Sequence, residues 1–149
     1  MTMKKKAAKR LHKEVDCDLS RRPNKRPAEI DFSRFIYCIA DDHPSVSLAV
    51  SQLLSEVVGI DPSNFMVVME STDLLSFFSG PSPRNRVVIL DLVMPGDLKR
   101  ASLVNEILRV DPLARILAYT ADESAFLAKA VIDSGALGYV AKTSPANGL

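Results

Sequence analysis

The chain has 149 residues, 47% of them apolar and 25% charged, with a formal net charge of +1, which suits one domain with its own core. No run approaches the roughly 20 consecutive apolar residues that cross a bilayer, and the charged start lacks the apolar stretch of a secretory signal. No membrane contact is therefore expected, the cytoplasm is the expected location, and two cysteines (Cys17 in a polar tail, Cys38 in an apolar run) do not make a disulfide framework.

Charge is unevenly spread. Residues 1–34 carry 11 Lys/Arg against 5 Asp/Glu, whereas residues 35–149 carry 8 against 13. This divides the chain into a basic extension, 1–34, and an acidic domain, 35–149. Two readings of the extension stay open: a largely disordered, solvated arm, or one that touches nucleic acid weakly through phosphates, without reading sequence. Ala7, Leu11, Val15 and Leu19 recur every four residues, which allows a short amphipathic helix before Pro23.

The domain opens with the apolar run Phe35-Ile36-Tyr37-Cys38-Ile39-Ala40, a strand ending in Asp41-Asp42. His43-Pro44-Ser45 makes a turn in which Ser45 is placed to cap a helix, and Val46, Ala49, Val50, Leu53, Leu54 and Val57 repeat at helical spacing up to Gly59. Phe65-Met66-Val67-Val68-Met69 reads as the second strand, and Ser71-Thr72-Asp73 opens a short helix through Phe78. Gly80-Pro81-Ser82-Pro83 breaks the chain before a third strand, 86–90, which ends in Asp91. A Met94-Pro95-Gly96 turn follows, then a helix marked by Leu103, Ile107 and Leu108 and stopped by Asp111-Pro112. Strand four, 115–119, ends in Thr120; a helix from about Asp122 carries Phe126, Leu127, Ala130 and Val131 to Gly135. Strand five, Gly138-Tyr139-Val140-Ala141, ends in Lys142.

Continuous apolar strands separated by helices indicate a parallel sheet covered on both faces. The expected fold is α/β: a flavodoxin-like, doubly wound, five-stranded parallel sheet of order 2-1-3-4-5. In such a sheet Asp41, Asp42, Asp91, Thr120 and Lys142 converge at the carboxyl edge, where open α/β sheets place their chemistry. Crowded acids repel unless a cation lies among them, so the pattern implies a hard divalent metal, with room for a phosphate beside metal, lysine and hydroxyl. Each residue taken singly has a plainer role. Asp41 and Asp42 suit a cap or turn, Thr120 a helix N-cap, Lys142 a solvated charge and Tyr139 an edge of the core. His43, before Pro44, is read as a turn residue, and with His12 in the tail a zinc site is not expected.

With these residues in this order, the stretch from Phe35 to Lys142 resembles a response-regulator receiver domain of the CheY-like superfamily. The resemblance rests on Asp41-Asp42, on Asp91-Leu92-Val93-Met94-Pro95-Gly96, on Thr120 and on Gly138-Tyr139-Val140-Ala141-Lys142. Ala-Asp-Asp-His-Pro at the start and Gly-Tyr-Val-Ala-Lys-Thr at the end are most similar to the NarL/FixJ type. The resemblance implies that Asp91 is the phospho-acceptor for a sensor histidine kinase. It implies Mg²⁺ held by Asp42 and Asp91 directly, by Asp41 through water and by the carbonyl of Val93. Lys142 and Thr120 would contact the phosphoryl group, and Tyr139 would rotate inward as a switch.

Two departures from that pattern stand out. The turn is followed by Asp97-Leu98-Lys99-Arg100-Ala101-Ser102 in place of a glycine-containing loop, and only seven residues follow Lys142. The closing helix is expected to be missing or replaced, and the DNA-binding output domain through which such proteins control transcription is expected to be absent. An apolar face beside strands one and five would then need cover from the N-terminal helix or from a second chain in a homodimer. Two other functional classes compete with the phosphorylation switch: a pseudo-receiver that signals by protein contact alone, and a phosphohydrolase. The last would want a second acid where Val93 stands.

Overall fold

Apolar and β-branched residues fill the strands, and turn chemistry delimits the helices between them. The computed structural model describes residues 30–96, 98 and 100–143. The helix expected before Pro23, Cys17 and the last six residues fall outside that range. The strands are β1 (Phe35–Ala40), β2 (Phe65–Val68), β3 (Asn85–Leu90), β4 (Arg115–Thr120) and β5 (Gly138–Ala141). The helices are α1 (Pro44–Leu53), α2 (Ser71–Ser79), α3 (Ala101–Val110) and α4 (Ala125–Asp133). All strand pairs are parallel and the order is β2-β1-β3-β4-β5, as expected. No described helix is long and apolar enough to cross a membrane.

Three local expectations are corrected. Ser45 does not cap α1: the helix starts at Pro44 with His43 as its N-cap residue and no side-chain cap bond. Proline's fixed φ suits the first helical position, which leaves Ser45 inside the first turn. The helix does not run on in α geometry to Val57; Leu54–Val58 form a π turn, closed where the N–H of Gly59, at φ 81°, donates to the Leu54 carbonyl. The fourth helix starts at Ala125 rather than near Asp122. Ser124 takes the N-cap role by accepting the Leu127 N–H at 3.3 Å, and Asp122 instead accepts the Ser124 N–H at 2.8 Å in a turn before it.

One face of the sheet forms the core. Cys38, Ala40, Val88, Leu90, Ile116 and Ala118 pack there against Leu74 and Phe78 of α2, Leu103 and Ile107 of α3, and Leu127 and Val131 of α4. On the other face Tyr37 and Ile39 of β1 are buried, while Val87, Ile89, Leu117, Tyr119 and Val140 are half-buried. The expected thinly covered face thus lies over β3, β4 and β5 rather than beside β1. At the amino edge, Arg86 is buried and donates to Asp111 Oδ2 at 2.9 Å and to the carbonyls of Phe78 and Gly80.

Candidate functional site

Strand register builds the site. Ala40 is paired with both Val68 and Leu90, so the residues that follow β1 and β3 leave the sheet side by side. The Asp91 N–H continues the ladder to the Ala40 carbonyl at 2.8 Å, and the Asp41 N–H continues it to Val68 at 3.1 Å. Across the sheet, Thr120 pairs with Ala141, and the Lys142 N–H donates to the Thr120 carbonyl at 2.8 Å. These backbone bonds fix where each functional side chain begins.

The side chains then meet. Lys142 Nζ donates to Asp41 Oδ2 at 2.5 Å and to Asp91 Oδ2 at 2.7 Å. The lysine that the resemblance places on the phosphoryl group thus sits on both Asp41 and Asp91. Both acids are almost fully buried, and their remaining oxygens are held by main-chain donors: Asp41 Oδ1 by the His43 N–H at 2.8 Å, Asp91 Oδ1 by the Val93 N–H at 3.1 Å. Burial alone would lower the Lys142 pKa, but the hydrogen bonds and charges of Asp41 and Asp91 outweigh it and hold the ammonium above its usual value. The lysine is the counterion of two acids.

Asp42 is left over. Its Oδ1 is buried and, among the described residues, accepts no hydrogen bond, although His43 Nδ1 lies 3.0 Å away. A buried carboxylate oxygen without a donor is costly unless a cation completes it. Oxygens of Asp41, Asp42 and Asp91 and a ring nitrogen of His43 lie within 4.8 Å of one another. A donor set dominated by carboxylate oxygen fits a hard divalent ion. The His43 ring, assigned above to a turn, therefore stands in the acid cluster as well. Its place directly after Asp41-Asp42 was the available signal.

Thr120 and Tyr139 are joined to each other through Asp122, not to the acids. Thr120 is fully buried, and its Oγ1 accepts the Asp122 N–H at a long 3.5 Å. Tyr139 packs half-buried against the core and donates its hydroxyl to the Asp122 carbonyl. Burial, followed by the charge of Asp122, raises the Tyr139 pKa. Asp122 was seen in the sequence only as a helix start. Its hub position depends on loop conformation, which periodicity does not encode.

Comparison with known proteins identifies the family and the fold. Residues 37–149 match the family model of the response regulator receiver domain. RcsB of Salmonella enterica serovar Typhimurium, solved on promoter rprA with the phosphomimetic BeF₃⁻, superposes with a TM-score of 0.63 at 28% identity. The alignment covers 73% of this chain and 60% of that one, so the chain spans under two thirds of RcsB. CheY in the CheX–CheY–BeF₃⁻–Mg²⁺ complex of Borrelia burgdorferi gives 0.65 at 20% identity, over 74% of this chain and 80% of that one. The receiver domain of the putative response regulator NarL from Mycobacterium tuberculosis gives 0.58 at 22%, over 73% and 84%. No curated protein matches the chain.

Proposed function

From membership of the response regulator receiver domain family, to which this chain belongs, we propose that it is a Mg²⁺-dependent phosphorylation switch with Asp91 as the acceptor. The observation that carries the reading is the Lys142 ammonium bridging Asp41 and Asp91 beside the undonated oxygen of Asp42. Asp42 and Asp91 would hold the metal directly, Asp41 through water, and Val93 through its carbonyl. When bound, Mg²⁺ supplies the positive charge that lets a carboxylate approach an anionic donor.

The residues divide the work. An Asp91 oxygen attacks the phosphorus of a kinase phosphohistidine, the P–N bond breaks, and the imidazole leaves. Lys142 shifts from the carboxylate to a phosphoryl oxygen, which a flexible point charge can follow. Thr120, whose long contact uses its hydroxyl only as acceptor, still has its proton to donate to the same phosphate. Drawing Thr120 toward the acids pulls on Asp122 and hence on Tyr139, changing the surface formed by the β4–α4 loop and α4. Reversing a 99:1 population requires roughly 5.5 kcal/mol of preference for the active state. The chain acts as a signalling domain rather than a turnover enzyme. Its output is transcriptional, through a DNA-binding partner region of the kind implied by RcsB on its promoter. A sensor histidine kinase is the partner that would supply the phosphoryl group.

The test is titration with Mg²⁺ and BeF₃⁻, followed by amide NMR. Saturable shifts around Asp91, Thr120 and Tyr139, lost in Asp91→Asn, are expected. A spectrum that BeF₃⁻ leaves unmoved in the presence of Mg²⁺ favours a pseudo-receiver that works by contact alone.

A further inference from the structure

Among the described residues, the only non-glycine with positive φ is Arg100, at φ 57° and ψ −133°. It lies in the loop that follows the acceptor, in backbone space that glycine occupies without penalty and a side chain does not. Starting α3 does not explain the choice, because Arg100 makes no side-chain cap bond. What the side chain does is cross to the neighbouring loop, where its Nη1 lies 3.5 Å from Asp122 Oδ2. Its own N–H donates to the carbonyl of Leu92, the residue after Asp91, at 3.0 Å. Asp122 in turn holds Thr120 by its N–H, Ser124 by its carboxylate and Tyr139 by its carbonyl. Arg100 is the one cation paired with Asp122 among the described residues.

We propose that Arg100 is a positioning residue: it accepts backbone strain so that its guanidinium can tether the β4–α4 loop, and through Asp122 the Tyr139 hydroxyl, to the loop of the acceptor. This rests on the reading of Asp91 as acceptor and of Thr120 and Tyr139 as the switch. The tether suits a switch because it is weak. Its side chain is exposed and the contact is long, so the loop is biased without being locked. Movement of the loop on either side of the pair is then felt by the other.

The full chain and its Arg100→Gly, Arg100→Lys and Asp122→Asn variants distinguish a tether from a merely strained residue. Two readouts are needed, thermal unfolding and amide hydrogen exchange of residues 121–124. Arg100→Gly loses strain and tether together, so it should melt higher yet exchange about two- to fivefold faster in that loop. Asp122→Asn should speed exchange to a similar degree without the rise in Tm, and Arg100→Lys should restore slow exchange. Unchanged exchange in Arg100→Gly and Asp122→Asn, or exchange in Arg100→Lys as fast as in Arg100→Gly, would overturn the tether. Labelling of the parent chain by acetyl phosphate with Mg²⁺ is measured alongside. Its failure would remove the acceptor reading, while the exchange data decide the tether separately.

Discussion

Lys142 neutralises two carboxylates that are 3% and 5% exposed, so no other residue carries as much of the site's electrostatics. Lys142→Met leaves Asp41 and Asp91 facing each other without a cation. Breaking a buried pair costs about 3–5 kcal/mol when water is excluded; here the lysine side chain is 15% exposed, and about 2 kcal/mol is expected. Urea unfolding without metal measures the loss, and Mg²⁺ should restore part of it by binding the native acids. The pH dependence has a fixed sign. A lysine whose folded pKa is raised stabilises fully below the unfolded value of about 10.4, and that stability is lost as pH climbs through the higher folded value. The parent should therefore lose more stability than Lys142→Met across that alkaline range. The acids, the threonine and the lysine were legible because each follows an apolar run. The pairing of Arg100 with Asp122 was not, since it is set by loop geometry between segments 22 residues apart.

At the scale of elements, the Met94-Pro95-Gly96 turn docks on the start of α2. The Ser71 N–H donates to the Pro95 carbonyl at 3.0 Å, and a Cβ at Gly96, where φ is 128°, would lie 1.8 Å from Ser71 Oγ. Only glycine fits both the angle and the contact. Gly96→Ala should cost at least about 2 kcal/mol in urea unfolding and weaken Mg²⁺ binding, because the Asp91 loop must shift. A variant as stable as the parent would show that the turn is not so constrained. Strand positions were readable because parallel strands buried on two faces appear as unbroken apolar runs. The helix ends were less so. Pro44 outweighed Ser45, Ser124 outweighed Asp122, and the π turn at 54–58 has the same apolar residues as the α-helix it replaces.

For the whole molecule, Cys38 reports on the fold. It is fully buried in β1, and burial pushes its thiol up to about 12, so at neutral pH a thiol reagent reaches it only when the core opens. In a Cys17→Ser variant the labelling rate should follow global stability across urea; fast labelling in native buffer would contradict a closed core. The doubly wound parallel class followed from alternating strands and helices with right-handed crossovers, whereas the 2-1-3-4-5 order is one of the two common orders that class allows. Arg86 at the amino edge was not legible, because an arginine near the start of a strand looks solvated until Asp111 and the carbonyls of Phe78 and Gly80 surround it. All of this serves one arrangement, in which strand-end acids and a lysine make a carboxylate fit to be phosphorylated. The most direct measurement is mass spectrometry after incubation with acetyl phosphate and Mg²⁺, with the modified peptide mapped. One phosphoryl group on Asp91, absent in Asp91→Asn and without Mg²⁺, is the expected result; no gain in mass, or a phosphate on another residue, would contradict the account.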